Sequence, residues 1–275
     1  MLKPRLIPVL LLKNGILVRS RTFNFHQSTG DPIGQVERFV SWKADELIYL
    51  DITRSGMYDV EKTMNVIGST TSKKNSLSEI PDNFVDIIRC ISPKCTIPLT
   101  AGGGIRSLDN ISLLLKNGAD KVSINTKALE EPSFIESAAK KFGSQCIVVS
   151  VDVKYDDISH QYEVYSEFGK KPTGHEPVSW CQEVEKLGAG EILLNSINRD
   201  GTGNGYDLPL IKKVAEKVSI PVIALGGVGT FAHLAEGLIK GKADAVAAAN
   251  VFHFTEHSII NAKKYMKSAG IDVRI

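Results

Sequence analysis

Leu99-Thr100-Ala101-Gly102-Gly103-Gly104-Ile105 is a short apolar run that breaks into three glycines. That is the pattern of a buried strand entering a tight turn. It returns 124 residues later in Ala224-Leu225-Gly226-Gly227-Val228-Gly229. Ala119-Asp120-Lys121-Val122 recurs at the same spacing near Ala243-Asp244-Ala245-Val246. Earlier, Ala44-Asp45-Glu46-Leu47-Ile48 resembles Ala189-Gly190-Glu191-Ile192-Leu193 at an offset of 145, and Val9-Leu10-Leu11-Leu12-Lys13 aligns with Ser150-Val151-Asp152-Val153-Lys154 at an offset of 141. The chain is therefore duplicated.

Working outward, eight apolar runs read as strands: Leu6–Leu12, Glu46–Asp51, Ile97–Ala101, Lys121–Ile124, Cys146–Val153, Glu191–Ser196, Pro221–Leu225 and Ala245–Ala249. Amphipathic stretches lie between most of them, such as Leu108–Asn117, Pro132–Lys141, Val178–Leu187, Asp207–Lys217 and Phe231–Ile239. Repeated strand–helix units in 275 residues predict an α/β fold, a single (βα)8 TIM barrel over residues 1–275 built from two half-barrels. The rival is a doubly wound open sheet, but no GxGxxG opens the first unit. The fall in offset from 145 to 124 puts an insertion at about 66–92, between strands two and three, where Gly68–Ser76 reads as a polar loop. Tyr155–Phe168 reads as a β-hairpin after strand five.

Composition excludes several classes. A net charge of +2 is too weak for nucleic-acid or membrane-surface binding. The apolar run near the N-terminus is too short for a signal peptide or membrane span. Cys90, Cys95, Cys146 and Cys181 form no CxxC pair or zinc spacing, so buried, reduced thiols in a cytoplasmic protein are expected, with no metal and no cofactor.

Three constellations carry chemistry. The glycine turns after strands three and seven bring backbone N–H groups close enough to seat an anion. One such turn alone equally fits a tight βα connection. Two at the repeat offset, beside Asn125-Thr126 and Ala249-Asn250, point to two phosphates on one elongated small molecule. Asp152 stands near the C-terminal end of strand five, where barrel active sites are built, and suits a general acid/base; a turn cap or a pair with Lys154 is the plainer reading. Asp200 and Gly201, after strand six, face the same mouth. At the other end, Arg5, Glu46, Lys121 and Glu191 each start a strand. If they point inward, two cations and two anions meet across the floor, either as a structural plug or as a gate to a channel.

These words together resemble the cyclase subunit of imidazole glycerol phosphate synthase over nearly the full chain: Asp51-Ile52-Thr53, GGGI at Gly102–Ile105, GADKVSIN at Gly118–Asn125, FGSQ at Phe142–Gln145, GAGEILL at Gly188–Leu194, RDGT at Arg199–Thr202 and VFHF at Val251–Phe254. The resemblance implies a lyase/cyclase barrel of histidine biosynthesis that docks a glutaminase on its N-terminal face. It further implies ammonia passing a gate of Arg5, Glu46, Lys121 and Glu191 towards a bisphosphorylated substrate. Gly104, Asn125 and Thr126 match one phosphate site; Gly201, Gly227 and Ala249 match the other, with Asn250 in place of serine. Asp152 matches one of two catalytic aspartates. The second should stand at position 11, which is Leu11, the counterpart of Asp152 in the internal repeat as well. Arg19, Asn195 and Asn198 also depart from the pattern, replacing a lysine, a threonine and an aspartate. A mouth so changed over an intact gate resembles the paralogous branch that works with a glutaminase and a third protein to amidinate bacterial surface-polysaccharide sugars. An ordinary histidine-pathway cyclase and a non-catalytic scaffold that activates the glutaminase are the alternatives.

Overall fold

The computed structural model describes residues 3–21, 25–53, 58, 81–252 and 257–275. Eight parallel strands form its centre: β1 (Arg5–Lys13), β4 (Leu47–Asp51), β5 (Leu99–Gly102), β6 (Lys121–Ile124), β7 (Ile147–Asp156), β10 (Glu191–Ser196), β11 (Val222–Leu225) and β12 (Ala245–Ala248). Each pairs with the next, β12 returns to β1, and the pairing of β7 with β10 joins the two halves, so the sheet is a closed (βα)8 barrel. Every expected barrel strand is present, with ends shifted by a few residues at most.

The strands form because their alternating faces are both buried. Ile7, Val9, Ile48, Val148, Leu193, Ile223, Ala245 and Ala247 fill the interior as one cluster. The opposite faces, such as Leu6, Leu10, Tyr49 and Val149, pack against the outer helices. The helices start where the sequence supplies caps. Asp31 accepts from the Ile33 and Gly34 amides at the start of α1 (Pro32–Ser41), and Ser107 with Asn110 forms a reciprocal capping box before Leu108–Lys116.

The repeated Ala-Asp words have a shared job. Asp45 accepts from the Leu6 amide, Asp120 from Leu99 and Asp244 from Val222, each at 2.8–2.9 Å, clasping the start of a neighbouring strand. At the fourth position stands Gly190, because a Cβ there would lie 2.2 Å from the Ser144 carbonyl oxygen. Asp45 also binds Lys263 at 2.8 Å, both almost fully buried, which bolts the last helix (Ser258–Ser268) to the barrel.

Two hairpins rise from the C-terminal ends of the strands. β1 runs on through Asn14-Gly15 into β2 (Ile16–Arg21) and β3 (Phe25–Gly30), while β7 runs on into β8 (Gln161–Ser166) and β9 (Lys171–Pro172). The second was expected from the sequence; the first was not. The polar loop at Gly68–Ser76 lies outside the described residues. Phe84–Ile91, in the C-terminal part of the span assigned to an insertion, is a helix whose Ile87, Ile88 and Ile91 are buried in the outer core. The expectation of buried thiols is corrected in part: Cys181 is buried, Cys95 and Cys146 are half-buried and Cys90 is exposed, because Cys90 falls on the solvent side of that helix. All four are free thiols.

Candidate functional site

The two ends of the barrel differ. At the N-terminal floor, Arg5 Nη1 lies 2.7 Å from Glu46 Oε1 and 2.7 Å from Glu191 Oε1. Lys121 Nζ lies 3.2 Å from Glu46 Oε2 and 3.0 Å from Glu191 Oε1. The four side chains therefore close into a ring of balanced charge. Burial works against the Arg5 charge, and the two carboxylates outweigh it and hold its pKa above the ordinary value. Above the ring, the interior is mainly apolar, with the inward-facing Thr100, Ser123 and Ser150 among its aliphatic residues, up to a cavity of about 540 Å³ at the opposite mouth.

That cavity collects residues from both halves. Gly103, Gly104 and Arg106 after β5, Asn125 and Thr126 after β6, and Lys13, Asn14 and Thr53 make one side of it. Gly103 has φ +107, and a Cβ there would lie 2.1 Å from the Asp51 oxygen, so only glycine allows this turn to lie against β4. Thr126 accepts from the Glu167 amide of the second hairpin at 3.3 Å.

Asp152 faces the cavity from the end of β7. Its Oδ1 accepts from Asn195 Nδ2 at 3.0 Å and its Oδ2 from Asn125 Nδ2 at 3.2 Å. Burial pushes its carboxyl up to about 6, opposed by the Asn195 hydrogen bond. Asp200, in the turn after β10, is pushed up to about 7 by burial and by the nearby Asp152, with the Gly201 amide working the other way. Two carboxyls near neutrality, in one cleft, can give and take protons at physiological pH.

The duplicated register shows what Leu11 does. Leu11 lies beside Leu50 in the β1–β4 pairing, as Asp152 lies beside Asn195 in the β7–β10 pairing. Leu11, Leu50, Leu225 and Ala249 extend the apolar interior into the cavity wall. One half of the mouth therefore carries an acid held by an amide, and the other half carries two leucines at the matching positions.

A smaller cavity opens beside the large one, lined by Leu11, Ser20, Asp200, Gly201, Leu225, Gly226, Gly227, Val228, Ala248, Ala249 and Asn250. The second set of sequence-selected residues is thus brought together here. Asn250 Nδ2 donates to the Ser20 carbonyl at 3.1 Å and so ties the first hairpin to the turn after β12. Asn198 does not face the mouth: its side chain exchanges two hydrogen bonds with the Tyr155 backbone. Arg19 donates to Gln27 across the first hairpin. Sequence reasoning missed Ser20 and His26, which reach the cavity from that hairpin; the signal was Asn14-Gly15 between two apolar runs.

A closed parallel barrel here gathers paired glycine turns and two carboxyls at its C-terminal mouth, the end where barrel active sites are built. The model of the histidine biosynthesis protein family matches residues 5–258, nearly the whole chain. The chain belongs to that family, whose members include isomerases and cyclase subunits of histidine biosynthesis. Among the described residues, no helix is long and apolar enough to cross a membrane, and no His/Cys/Asp/Glu group is placed to hold a metal ion.

Proposed function

We propose that this chain is the synthase-side subunit of a glutamine-dependent amidotransferase pair. It takes ammonia from a glutaminase docked on the N-terminal face and conducts it to a phosphorylated substrate at the mouth. The observation that carries this reading is the balanced ring of Arg5, Glu46, Lys121 and Glu191 beneath a mainly apolar interior. Neutral ammonia enters such surroundings at far lower cost than ammonium, so a charged floor that admits only the neutral molecule suits the task. An isomerase needs no such entry. At the mouth, Gly104, Asn125 and Thr126 seat one phosphate and Gly201, Gly227, Ala249 and Asn250 the other, while Asp152 moves the proton.

Leu11 directs the reading to a paralogue that supplies ammonia for amidination of a surface-polysaccharide sugar, working with a third, amide-transfer protein. Leucine cannot exchange a proton, and losing one acid of a pair costs orders of magnitude in rate. The test is a reconstitution with glutaminase, glutamine and the bisphosphorylated histidine-pathway precursor. Glutaminase activity should rise with this chain present, and no imidazole product should form. Detectable imidazole formation would overturn the paralogue assignment, and unchanged glutaminase activity would overturn the partnership.

The carboxyl pair Asp152 and Asp200 favours a second reading, an ordinary histidine-pathway cyclase with Asp200 covering for position 11. Imidazole product that disappears in Asp200→Asn would select it.

A further inference from the structure

The small cavity under the second glycine turn has an unusual electrostatic make-up. Its wall is backbone with apolar and neutral polar side chains, and among the described residues its only ionisable side chain is that of Asp200. Gly226 and Gly227 hold φ of +94 and +102, and a Cβ on Gly227 would lie 2.2 Å from the Gly205 oxygen, so backbone alone shapes this part of the wall. The Ser20 hydroxyl, on a side chain 6% exposed, lines the same space without a partner among the described residues. Among the described residues, an anion seated here would meet an acidic neighbour and no lysine or arginine. Asp200 also borders the large cavity, which it shares with Asp152.

We propose that Asp200 is a proton-dependent gatekeeper of the second anion seat: carrying a proton, it donates to an anion held against Gly201, Gly226 and Gly227, and once ionised it repels that anion. The inference rests on reading the glycine turn as an anion seat and goes beyond it by making occupancy proton-linked. The ligand class is a phosphomonoester or an equivalent tetrahedral dianion. Capture then proceeds with Asp200 protonated, and loss of that proton to water or to Asp152 drives release.

The charge environment supports this assignment. Among the described residues, the other ionisable groups lining the large cavity are Asp152, Asp51, Glu167, Lys13, His26 and Arg106. Arg106 is paired with Glu130, and Lys13 lies 3.3 Å from His26 Nδ1; His26 stands opposite Ser20 in the first hairpin, which makes it the residue to vary as a control. Arg199, adjacent in sequence, is exposed and interacts with Tyr162. Burial and Asp152 both favour the protonated form of Asp200, lifting it to about 7.

Sulfate is the probe, because it stays doubly charged from pH 6 to 8, and backbone amide resonances report each seat separately. Gly201 and Gly227 follow the second seat, and Gly104 and Thr126 the first. Sulfate affinity at Gly201 and Gly227 should fall about tenfold from pH 6 to pH 8, the limit for one linked proton centred near 7. Asp200→Asn and Asp200→Ser should both abolish that fall, while His26→Gln retains it. A flat wild-type profile, an unchanged fall in either Asp200 variant, or its loss in His26→Gln would overturn the inference. No sulfate effect on Gly201 or Gly227 at any pH would overturn the anion reading of that turn as well. Flat binding would sink only the proton linkage.

Discussion

Lys121→Met tests the floor ring most directly. Methionine keeps the length of the side chain and removes its charge, leaving two carboxylates with only Arg5, 2.7 Å from each. The side chains concerned are 8–15% exposed, so water screens them little. Removing one partner of a buried ion pair costs about 3–5 kcal/mol when the remaining charge has no other partner. Because Arg5 still serves both acids, we expect a loss of about 2 kcal/mol. In a chain of this size that corresponds to a fall in Tm of roughly 4–8 °C. Lys121→Met/Glu46→Gln restores neutrality and should recover at least about 1 kcal/mol. The measurement is urea unfolding at pH 7 on wild type, both single variants and the double. A loss within about 0.5 kcal/mol in Lys121→Met, or a coupling energy below about 0.5 kcal/mol, would refute the account of a coupled ring.

Leu11→Asp should destabilise the chain by about 1–3 kcal/mol at pH 8, since the new acid meets Leu50 where Asp152 meets Asn195. Adding Leu50→Asn should recover part of the loss in urea melts; no recovery would show that the two halves are not equivalent at this register. Asp152→Asn bears on pH dependence. The folded-state value near 6 exceeds the unfolded one, so this group's stabilisation is full below about pH 4 and is lost as pH rises through 6. The variant should match wild type at pH 4 and exceed it by about 2 kcal/mol at pH 8. Equal stability at both pH values would contradict the burial of that carboxyl. Lys263→Met strands Asp45 and the Lys43 carbonyl, which Lys263 Nζ otherwise binds at 2.8 and 2.5 Å. It should cost about 3 kcal/mol in thermal or chemical unfolding, and a neutral result would remove the clasp from the account of barrel closure.

Much of this molecule was legible before the structure, for physical reasons. Barrel strands are buried on both faces, so Lys121–Ile124 and Glu191–Ser196 stood out as apolar runs and were placed to the residue. The floor ring was legible because alternation puts Arg5 on the face of Ile7 and Val9. The first hairpin was not read, although both Asn14 and Gly15 have positive φ and make the tight turn that an Asn-Gly pair favours. The duplicated counterpart of Asp152 looked like the simple end of a buried strand, and that reading hid its continuation. Contacts such as Asn125 and Asn195 gripping one carboxylate depend on register across three strands, which local pattern cannot supply. The same limit kept Ser20 from being associated with the turn after β11.

The Asn250 bond to the Ser20 carbonyl has a consequence for how the barrel closes. It joins the first hairpin, which springs from the opening strand, to the turn that follows the closing one. The cylinder is thus tied at its mouth by a side chain as well as along its β1–β12 pairing, so its closure does not depend on strand hydrogen bonds alone.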